Sequence, residues 1–421
     1  MDLTRAAAEA LDAADPLASF RERFTGTGDD GPERLIYLDG NSLGRLPRET
    51  PAALARVVEQ QWGEGLVGSW AGWIGEATRL GDALADGVLG ARPGEVLVAD
   101  STSVNLYKLL MAGARARPGR DVLVCTADDF PTDRYVVGGV AEARGMTVRE
   151  LPADLDEGLD PATLAAALDE RVAVVVLSLV AYRSGALADL AAVTRLVHDA
   201  GALVLWDLSH AVGAVPVQLA AADADLAVGC TYKYLNGGPG APAFLYVRRD
   251  LQAQLRSPIQ GWFGQRDQFA MGPVYEPAEG IERFGVGTPP VLGMAAVEVG
   301  ARLTAEAGVD RLATKGSAMA ELIVALGDAW LAPHGISLAS PRDPARRGSH
   351  VTFAHPQAWQ LTQALVDRGV VPDFRTPDRV RLGPAPLYTR FVDVWDGMSR
   401  FRDVLAEGAQ ESYPAERARV T

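Results

Sequence analysis

The chain has 421 residues, of which 48% are hydrophobic and 22% are charged, and its formal net charge is −14. Such a length exceeds what one compact core usually holds, so we expect at least two lobes. The acidic balance argues against a nucleic-acid partner, because proteins that bind nucleic acids neutralise phosphates with clusters of Lys and Arg.

The N-terminal segment does not have the pattern of a targeting sequence. MDLTRAAAEALDAADPL carries acidic residues where a secretory signal would carry basic ones, and it lacks a hydrophobic core. The chain contains no apolar run of about 18 residues, the length that a membrane span needs. We therefore expect a cytoplasmic protein that makes no membrane contact.

Residues 51–290 are predicted to form a large α/β domain, and residues 1–50 an N-terminal segment that packs near a smaller domain. From about residue 95 to 250, short apolar runs alternate with helical patterns, which indicates βαβ units and a mainly parallel, helix-covered sheet. The predicted strands are EVLVAD, DVLVCT, MTVREL, VAVVVLSL, ALVLWD, ADLAVG and AFLYV. Residues 172–179 are apolar without alternation, as a strand buried on both faces should be.

Residues 291–421 are predicted to form a smaller α+β domain, because a long helical stretch precedes the strand-like pieces SHVTFAH and RVRLGP.

The chain has only two cysteines, Cys125 and Cys230, and both lie in or beside apolar runs. Buried thiols are the expected interpretation, so neither a disulfide framework nor a cysteine-based metal site is indicated.

The ends of the predicted strands carry polar and reactive side chains. In open sheets of this kind, ligands bind beyond the carboxyl ends of the strands. Five strand ends are followed by such residues, namely STSVNLYKLL, TADDFPTDRY, Ser178, DLSHAVG and CTYKY. This pattern predicts a single site at one edge of the sheet.

Thr102 and Ser103 begin a predicted helix, whose free N–H groups favour an anion, although a plain helix cap is the alternative. No nucleotide-binding fingerprint is present, so a nucleotide is not indicated.

Asp207 ends a buried strand, where a carboxylate needs a cationic partner. That partner is either a local ion pair or the protonated ring nitrogen of a cofactor. His210, three residues later, is either part of the site or a packed, hydrogen-bonded histidine.

Lys233 follows Asp207 by one βαβ crossover, so neighbouring strand ends can bring the two together. A lysine is usually an exposed cation. An amine beside an anion site and a buried carboxylate, however, suits the covalent attachment of an aldehyde cofactor. Phe130 supplies an aromatic face. Anion site, carboxylate, aromatic face and amine are together what pyridoxal 5′-phosphate needs.

Seven blocks, in this order, resemble the kynureninases: YLDGNSLGRLP (37–47), STSVNLYKLL (101–110), DFPTDRY (129–135), WDLSHAVGAVPVQL (206–219), CTYKYLNGGPGAP (230–242), GTPPVL (287–292) and RLGPAPLYTRF (381–391). Kynureninases are fold-type-I pyridoxal-phosphate enzymes of the aminotransferase class V superfamily. They cleave the Cβ–Cγ bond of L-kynurenine hydrolytically, which gives anthranilate and L-alanine. The resemblance covers residues 35–400 and implies this fold, cofactor and reaction.

The resemblance also implies roles for individual residues. Lys233 matches the lysine that binds the cofactor covalently and shuttles protons. Tyr232 matches a residue that binds the phosphate and is the candidate acid, and Asp207 matches the partner of the ring nitrogen. Further cofactor-binding positions are Thr102, Ser103, Phe130, Pro131, Thr132, Asp133, Ser178 and His210. Arg381 resembles the arginine that binds the substrate carboxylate through its planar fork, with Arg375 and Arg379 as rivals.

Trp262 and Thr288 match positions that, in this family, reach the phosphate from the neighbouring subunit. The resemblance therefore implies a homodimer with shared active sites. It leaves open the preference between kynurenine and 3-hydroxykynurenine. It also leaves open whether the protein serves tryptophan catabolism or NAD synthesis.

Four other functions compete with this interpretation. A cysteine desulfurase or selenocysteine lyase needs a mobile thiol nucleophile, but no cysteine follows Cys230. An aminotransferase of similar fold stays open. A metal-dependent hydrolase is suggested by His350 and His355, but on a strand a separation of five sends them to opposite faces. A non-catalytic carrier of pyridoxal phosphate is disfavoured because Tyr232, Lys233 and Arg381 are all present.

Overall fold

The structure, a computed structural model, describes residues 2–28, 31 and 34–416. Its largest sheet has seven strands in the spatial order Val96–Val98, Phe244–Val247, Leu226–Gly229, Leu203–Asp207, Val172–Ser178, Val122–Thr126 and Thr147–Leu151. Phe244–Val247 runs antiparallel to both neighbours, and the other pairs are parallel. The prediction of a mainly parallel sheet is therefore confirmed, and each of the seven predicted strands is present.

Helices connect and cover these strands, and short polar side chains begin several of them. Ser101 and Asp189, for example, accept hydrogen bonds from backbone N–H groups of the first turns that follow them. The α-helices are Arg5–Ala13, Thr50–Arg56, Trp70–Trp73, Glu76–Leu84, Thr102–Arg115, Pro131–Arg144, Pro161–Ala167, Leu190–Asp199, Arg249–Gln252, Val291–Ala307, Val309–Leu326, Ala358–Asp367 and Phe391–Glu407. Short π-helical segments occur at Val57–Glu64, Ala85–Leu89 and Gly327–Leu331.

A second, four-stranded sheet lies in the C-terminal part of the chain. Its strands are all antiparallel, in the order Asp373–Arg375, Arg379–Leu382, Val351–Ala354 and Ser337–Leu338. Together with helices from residues 309–407 it encloses an apolar core separate from that of the large sheet. This agrees with the expected smaller α+β part, while the domain boundaries at residues 50 and 290 stay predictions.

The N-terminal segment contacts this smaller part. Asp12 accepts hydrogen bonds from the backbone N–H groups of Phe391 and Val392 at 2.7 and 2.9 Å, so it caps the helix Phe391–Glu407. The short strand Ile36–Tyr37 pairs in parallel with Val370–Val371.

Residues 38–44 join the two parts of the molecule. The backbone N–H of Gly44 donates to the carbonyl of Tyr232 at 2.8 Å, and that of Gly383 donates to the carbonyl of Leu38 at 2.6 Å. A Cβ atom at Gly44 would lie 2.3 Å from the carbonyl oxygen of Lys233, so only glycine allows this approach. The segment therefore fixes the turn of Lys233 against the strand that carries Arg381.

Of the helices in the described ranges, none combines the length and the apolar character needed to cross a bilayer.

Candidate active site

The carboxyl ends of three parallel strands place the predicted site residues side by side. Ser178 is paired with Asp207 across neighbouring strands, and Asp207 is paired with Val228 on the next. Neighbouring strands lie about 4.8 Å apart, so residues that follow them meet at the same sheet edge. Cys230 and the turn that holds Lys233 come directly after the third strand.

Lys233 is buried, with 8% of its surface exposed, and its Nζ lies 3.2 Å from Nε2 of His210. Burial lowers the pKa of Lys233, and the nearby guanidinium groups of Arg381 and Arg375 lower it further, against the opposing effect of Cys230 and Asp207. The pKa of His210 lies well below its ordinary value because of burial and the neighbouring cation. The structure thus presents a buried amine with increased neutral character beside a neutral imidazole.

Three buried aspartates interact electrostatically in this region. Asp207 Oδ1 accepts from the backbone N–H and the hydroxyl of Ser209 at 2.9 and 2.6 Å. Burial raises the pKa of Asp133 well above its ordinary value, and the carboxyls of Asp207 and Asp129 raise it further. Burial likewise raises the pKa of Asp129 to about 6, although this carboxylate accepts backbone N–H groups from Thr126 and Ser178.

In the described part of the chain none of these three carboxyl groups forms an ion pair, although the charge of Lys233 lowers the pKa of Asp133 against the effect of burial. Asp133 Oδ2 has no hydrogen-bond partner there, and the hydroxyl of Ser178 is a second buried polar atom without one. Buried polar groups are nearly always paired, so these two atoms are available to a ligand that enters the site. A cationic ring nitrogen opposite Asp207 would satisfy the charge of this cluster.

The helix Thr102–Arg115 offers an anion site at its start. Ser101 caps it by accepting from Val104 N–H at 3.4 Å, while the N–H groups of Thr102 and Ser103 have no acceptor inside the helix. Both residues are half-buried. The geometry suits a phosphate, because the positive end of the helix dipole adds to the free donors.

Phe130 occupies the position before the helix Pro131–Arg144, whose first residues are Pro131 and Thr132. Its ring is 38% exposed and meets the ring of Tyr182 edge-on at a centroid distance of 5.3 Å. This contact holds one edge of Phe130 and leaves surface for stacking on a planar ligand.

Tyr232 lies beside the amine of Lys233, whose Nζ is 5.9 Å from the centroid of the tyrosine ring. Burial raises the pKa of Tyr232, and the neighbouring Cys230 raises it further. The phenol therefore keeps its proton at neutral pH, so it is able to act as an acid.

Arg381 is fully buried on the strand Arg379–Leu382 and points at the same region. It donates to the carboxylate of Asp373, to the carbonyl of Tyr182 and to the hydroxyl of Ser42, the last at 2.9 Å. Its Nη1 lies 3.4 Å from Nε2 of His210. These contacts bring Arg381 into the group formed by Lys233 and His210.

The two rival arginines lie differently. Arg379 pairs with Asp156 at 2.6 Å and with Asp378, away from the lysine. Arg375 shares Asp373 with Arg381, through the other carboxylate oxygen at 2.8 Å, and its side chain is partly exposed. Arg375 therefore stays a rival for the carboxylate role, whereas Arg379 is engaged elsewhere.

Trp262 and Thr288 are not joined to the lysine cluster by any hydrogen bond or ring contact in the described residues. Trp262 packs in an aromatic group, with centroids 5.7 Å from Trp70 and 6.1 Å from Phe269. Thr288 is exposed. Their predicted reach to a partner's phosphate stays a prediction.

The sequence interpretation missed the residues that orient Arg381. Asp373 is buried and holds the guanidinium, and Asn41, with its amide oxygen turned toward Arg381, accepts from Nε at 2.8 Å. Asp129 was also missed, although it stands inside the quoted DDFPTD block. The signal for Asn41 lies in the block YLDGNSLG, where three polar residues, Asp39, Asn41 and Ser42, stand beside two glycines.

Comparison with known proteins gives consistent results. A family profile described as "Kynureninase C-terminal domain" matches residues 312–401. A protein named kynureninase from Burkholderia pseudomallei (strain 1106a) is 45% identical, and the alignment covers 99% of this chain and 100% of that protein. One of the same name from Pseudomonas fluorescens is also 45% identical, with 94% of each chain covered.

Solved structures share the fold at low sequence identity. An apo cysteine desulfurase from Thermococcus onnurineus NA1 superposes with a TM-score of 0.79 at 17% identity, over 92% of this chain and 98% of the other. A lysine-to-alanine mutant of C-DES, with glycine covalently linked to its PLP cofactor, also gives a TM-score of 0.79, at 18% identity over 94% and 99%. At such identity the likeness concerns the fold alone.

A cysteine desulfurase needs a reactive thiol. Both cysteines of this chain are buried, and burial raises the pKa of Cys125 to about 12.

Proposed function

This chain belongs to the kynureninase family, and from that premise we propose how its own residues carry out the family's reaction. The protein is a hydrolase that cleaves L-kynurenine to anthranilate and L-alanine, and its cofactor is pyridoxal 5′-phosphate. The observation that supports the residue assignment best is the buried amine of Lys233 beside His210, which Arg381 also contacts, with the carboxylate of Asp207 acting on the charge of the amine.

The residues present fit the cofactor. The unpaired Asp133 Oδ2 and the buried carboxylate of Asp207 match a protonated ring nitrogen, and the free N–H groups of Thr102 and Ser103 match a phosphate. Phe130 would stack on the ring. Lys233 would hold the aldehyde carbon covalently, with Pro131, Thr132, Ser178 and His210 around the ring. When bound, pyridoxal phosphate supplies an electron sink for the substrate's carbanions.

Proton transfer in the reaction falls to Lys233 and Tyr232. With its amine free, Lys233 Nζ would accept the α-proton of the substrate, and its lowered pKa favours the neutral base. Water adds to the γ-carbonyl of the substrate, and the Cβ–Cγ bond breaks with release of anthranilate. The hydroxyl of Tyr232, which is protonated at neutral pH and is held so more firmly because burial raises its pKa, then donates to the carbon that becomes the methyl group of alanine.

The direct test is the release of fluorescent anthranilate from L-kynurenine by the purified protein. A yellow protein that releases anthranilate stoichiometrically with alanine is the expected result. An aminotransferase is separated by adding a keto acid: amino transfer without anthranilate would contradict the proposal. A non-catalytic carrier would bind the cofactor and release nothing.

We expect Arg381→Ala to raise KM for kynurenine about 100-fold, equivalent to about 2.7 kcal/mol, while the cofactor spectrum is unchanged. The physical reason is the loss of a charge-assisted, planar contact with the substrate carboxylate. Steady-state kinetics and the absorption spectrum measure both quantities. Arg379→Ala is the matched control, because it removes an arginine two positions away that pairs with Asp156. Unchanged KM in the Arg381 variant would move the carboxylate ligand to Arg375.

The active unit in this proposal is a homodimer. Trp62, Val67 and Met271 are 59%, 79% and 73% exposed, and their segments are joined by the contact of Trp70 with Trp262. An exposed apolar surface of this kind is typical of a protein interface. This apolar surface lies beside Trp262 and in the same part of the chain as Thr288. Trp262 and Thr288 are the two residues proposed to reach the partner's phosphate.

Val67→Glu is expected to raise the dissociation constant of the dimer at least about tenfold and to weaken cofactor binding with it, because a buried charge opposes association. Light scattering measures the mass, and absorbance measures the bound cofactor. Val366→Glu is the control, since Val366 is an exposed apolar residue of the helix Ala358–Asp367 in the smaller part of the molecule. A wild-type protein with the mass of one chain would contradict the dimer.

The cytoplasmic location expected from the sequence also stays a proposal, to be tested by cell fractionation.

A further inference from the structure

The chain contains only three lysines, Lys108, Lys233 and Lys315, among its 40 basic residues. All three are buried. Burial lowers the pKa of Lys108 and of Lys315, as it does for Lys233. Burying an ammonium costs free energy unless it is paired, so each position needs a physical reason. Lys108 has no role in the reaction described above.

Lys108 reaches back toward the start of its own helix. Its side chain is fully buried, and Nζ donates to Asp100 Oδ2 at 2.6 Å and to the backbone carbonyl of Phe284 at 2.8 Å. Asp100 directly precedes the cap residue Ser101, and its backbone is left-handed, with φ of +49°. The ammonium therefore holds the residue from which the proposed phosphate-binding turn begins.

The position of Asp100 creates an electrostatic problem for that turn. Asp100 stands two residues before Thr102, the first helical residue, and so is a near neighbour in the chain of the N–H groups of Thr102 and Ser103, which would receive a phosphate. A carboxylate and a phosphate at neighbouring positions repel each other, and more strongly in a partly buried site than in water. Asp100 is already partly withdrawn from solvent, with 27% of its side chain exposed. Lys108 supplies the charge that neutralises it.

The second contact of Lys108 fixes the turn in space. Phe284 ends the short helix Gly280–Phe284, and the following residues 285–288 line a narrow cleft of about 50 Å³ together with Asp100. Asn105, which is also fully buried, donates its amide N–H to the carbonyl of Ala99 at 2.7 Å. The turn is thus held on one side by Asn105 and on the other by Lys108.

We propose that Lys108 is a positioning residue that sets the affinity of the site for the phosphate group of its cofactor, by neutralising Asp100 and by tying the phosphate turn to the segment after Phe284. The inference rests on the proposed function only in taking Thr102 and Ser103 as the phosphate ligands. It assigns Lys108 no contact with the reacting atoms.

The test compares pyridoxal phosphate with unphosphorylated pyridoxal on the full-length protein freed of cofactor. In Lys108→Met the dissociation constant of pyridoxal phosphate is expected to rise about tenfold or more, because Asp100 is then left unpaired beside the phosphate. That of pyridoxal is expected to stay within about twofold. Tryptophan fluorescence and the absorbance of the bound aldehyde report both constants without any turnover measurement.

Two further variants separate charge from packing. Asp100→Asn in the Lys108→Met background removes the uncompensated carboxylate and should restore most of the affinity for pyridoxal phosphate. Asp100→Asn alone should tighten pyridoxal phosphate and leave pyridoxal unchanged, which provides a test even if Lys108→Met does not fold. Lys315→Met is the matched control, because Lys315 likewise pairs with one carboxylate, Asp15, and one carbonyl, that of Pro386, both at 2.7 Å.

The possible outcomes are distinct. The inference is overturned if Lys108→Met weakens the binding of pyridoxal phosphate and of pyridoxal equally, or weakens the binding of neither. It is also overturned if Lys315→Met weakens the binding of pyridoxal phosphate as much as Lys108→Met does. A wild-type protein that binds pyridoxal as tightly as pyridoxal phosphate contradicts the phosphate turn itself. That result would count against the proposed function rather than against Lys108 specifically.

Discussion

Lys233→Ala is expected to lower kcat for L-kynurenine by more than about 10⁴-fold, equivalent to about 5.5 kcal/mol. The variant loses two functions at once, the covalent attachment of the cofactor and the base that accepts the α-proton. No other described lysine can replace it, because Lys108 and Lys315 are each held in an ion pair with their own aspartate. Anthranilate fluorescence measures the rate.

Chemical labelling tests the same assignment without a mutation. Borohydride reduction of the active protein, followed by peptide mass mapping, should find the cofactor attached to Lys233 alone. The peptides of Lys108 and Lys315 serve as internal controls, since the chain has no other lysine. Fully active protein with Lys233 unmodified, or a Lys233→Ala variant with near-normal turnover, would remove the basis of the proposed mechanism.

Asp207→Ala is expected to lower kcat about 10³-fold or more, equivalent to about 4 kcal/mol, and to change the absorption spectrum of the bound cofactor. Without this carboxylate, the ring nitrogen loses the anion that keeps it protonated, so the ring withdraws electrons less effectively. Asp207→Glu should retain part of the activity, because the charge is kept at an altered distance. Kinetics and spectra of the two variants distinguish charge from geometry.

The chain offers a matched control for this variant. Asp225 is also a buried aspartate next to a strand of the same sheet, but it lies at the amino end of Leu226–Gly229. There it accepts from the backbone N–H of Val204 at 2.9 Å and lies 2.9 Å from Nε2 of His198. Asp225→Asn should lower the free energy of unfolding and leave the cofactor spectrum unchanged. Equal spectral changes in both variants would mean that Asp207 acts only through stability.

Much of the site was predictable because it follows strand ends. Apolar runs without alternation predict strands buried on both faces, and parallel strands place their carboxyl ends at one edge. The sequence therefore predicts that Thr102, Asp207 and Lys233 belong to one site. Their residue types, together with the quoted blocks, were enough to indicate pyridoxal phosphate.

The charges on these groups were not predictable in the same way. The lowered pKa of Lys233 and the raised pKa of Asp133 arise from burial and from neighbours distant in sequence, such as Arg381 and Asp207. A sequence reports which group can titrate, but the free energy of its charged form depends on solvent exclusion and on distances between strands.

The sequence alone thus determined the succession of strands along the chain and, through residue types and the resemblance of its blocks, the cofactor chemistry, because short-range hydrophobic patterns and residue types carry that information. It also predicted Lys233 as the reactive lysine. Only the tertiary structure decided that Gly44 packs on the turn of Lys233, that Asp373 and Asn41 orient Arg381, and that Lys108 neutralises Asp100. The contacts of Gly44 with Lys233 and of Asn41 with Arg381 join residues far apart in the chain, and Asp373 meets Arg381 through the pairing of two neighbouring strands. The contact of Lys108 with Asp100 depends on how one buried side chain folds back along its helix, and neither local periodicity nor spacing encodes such distances.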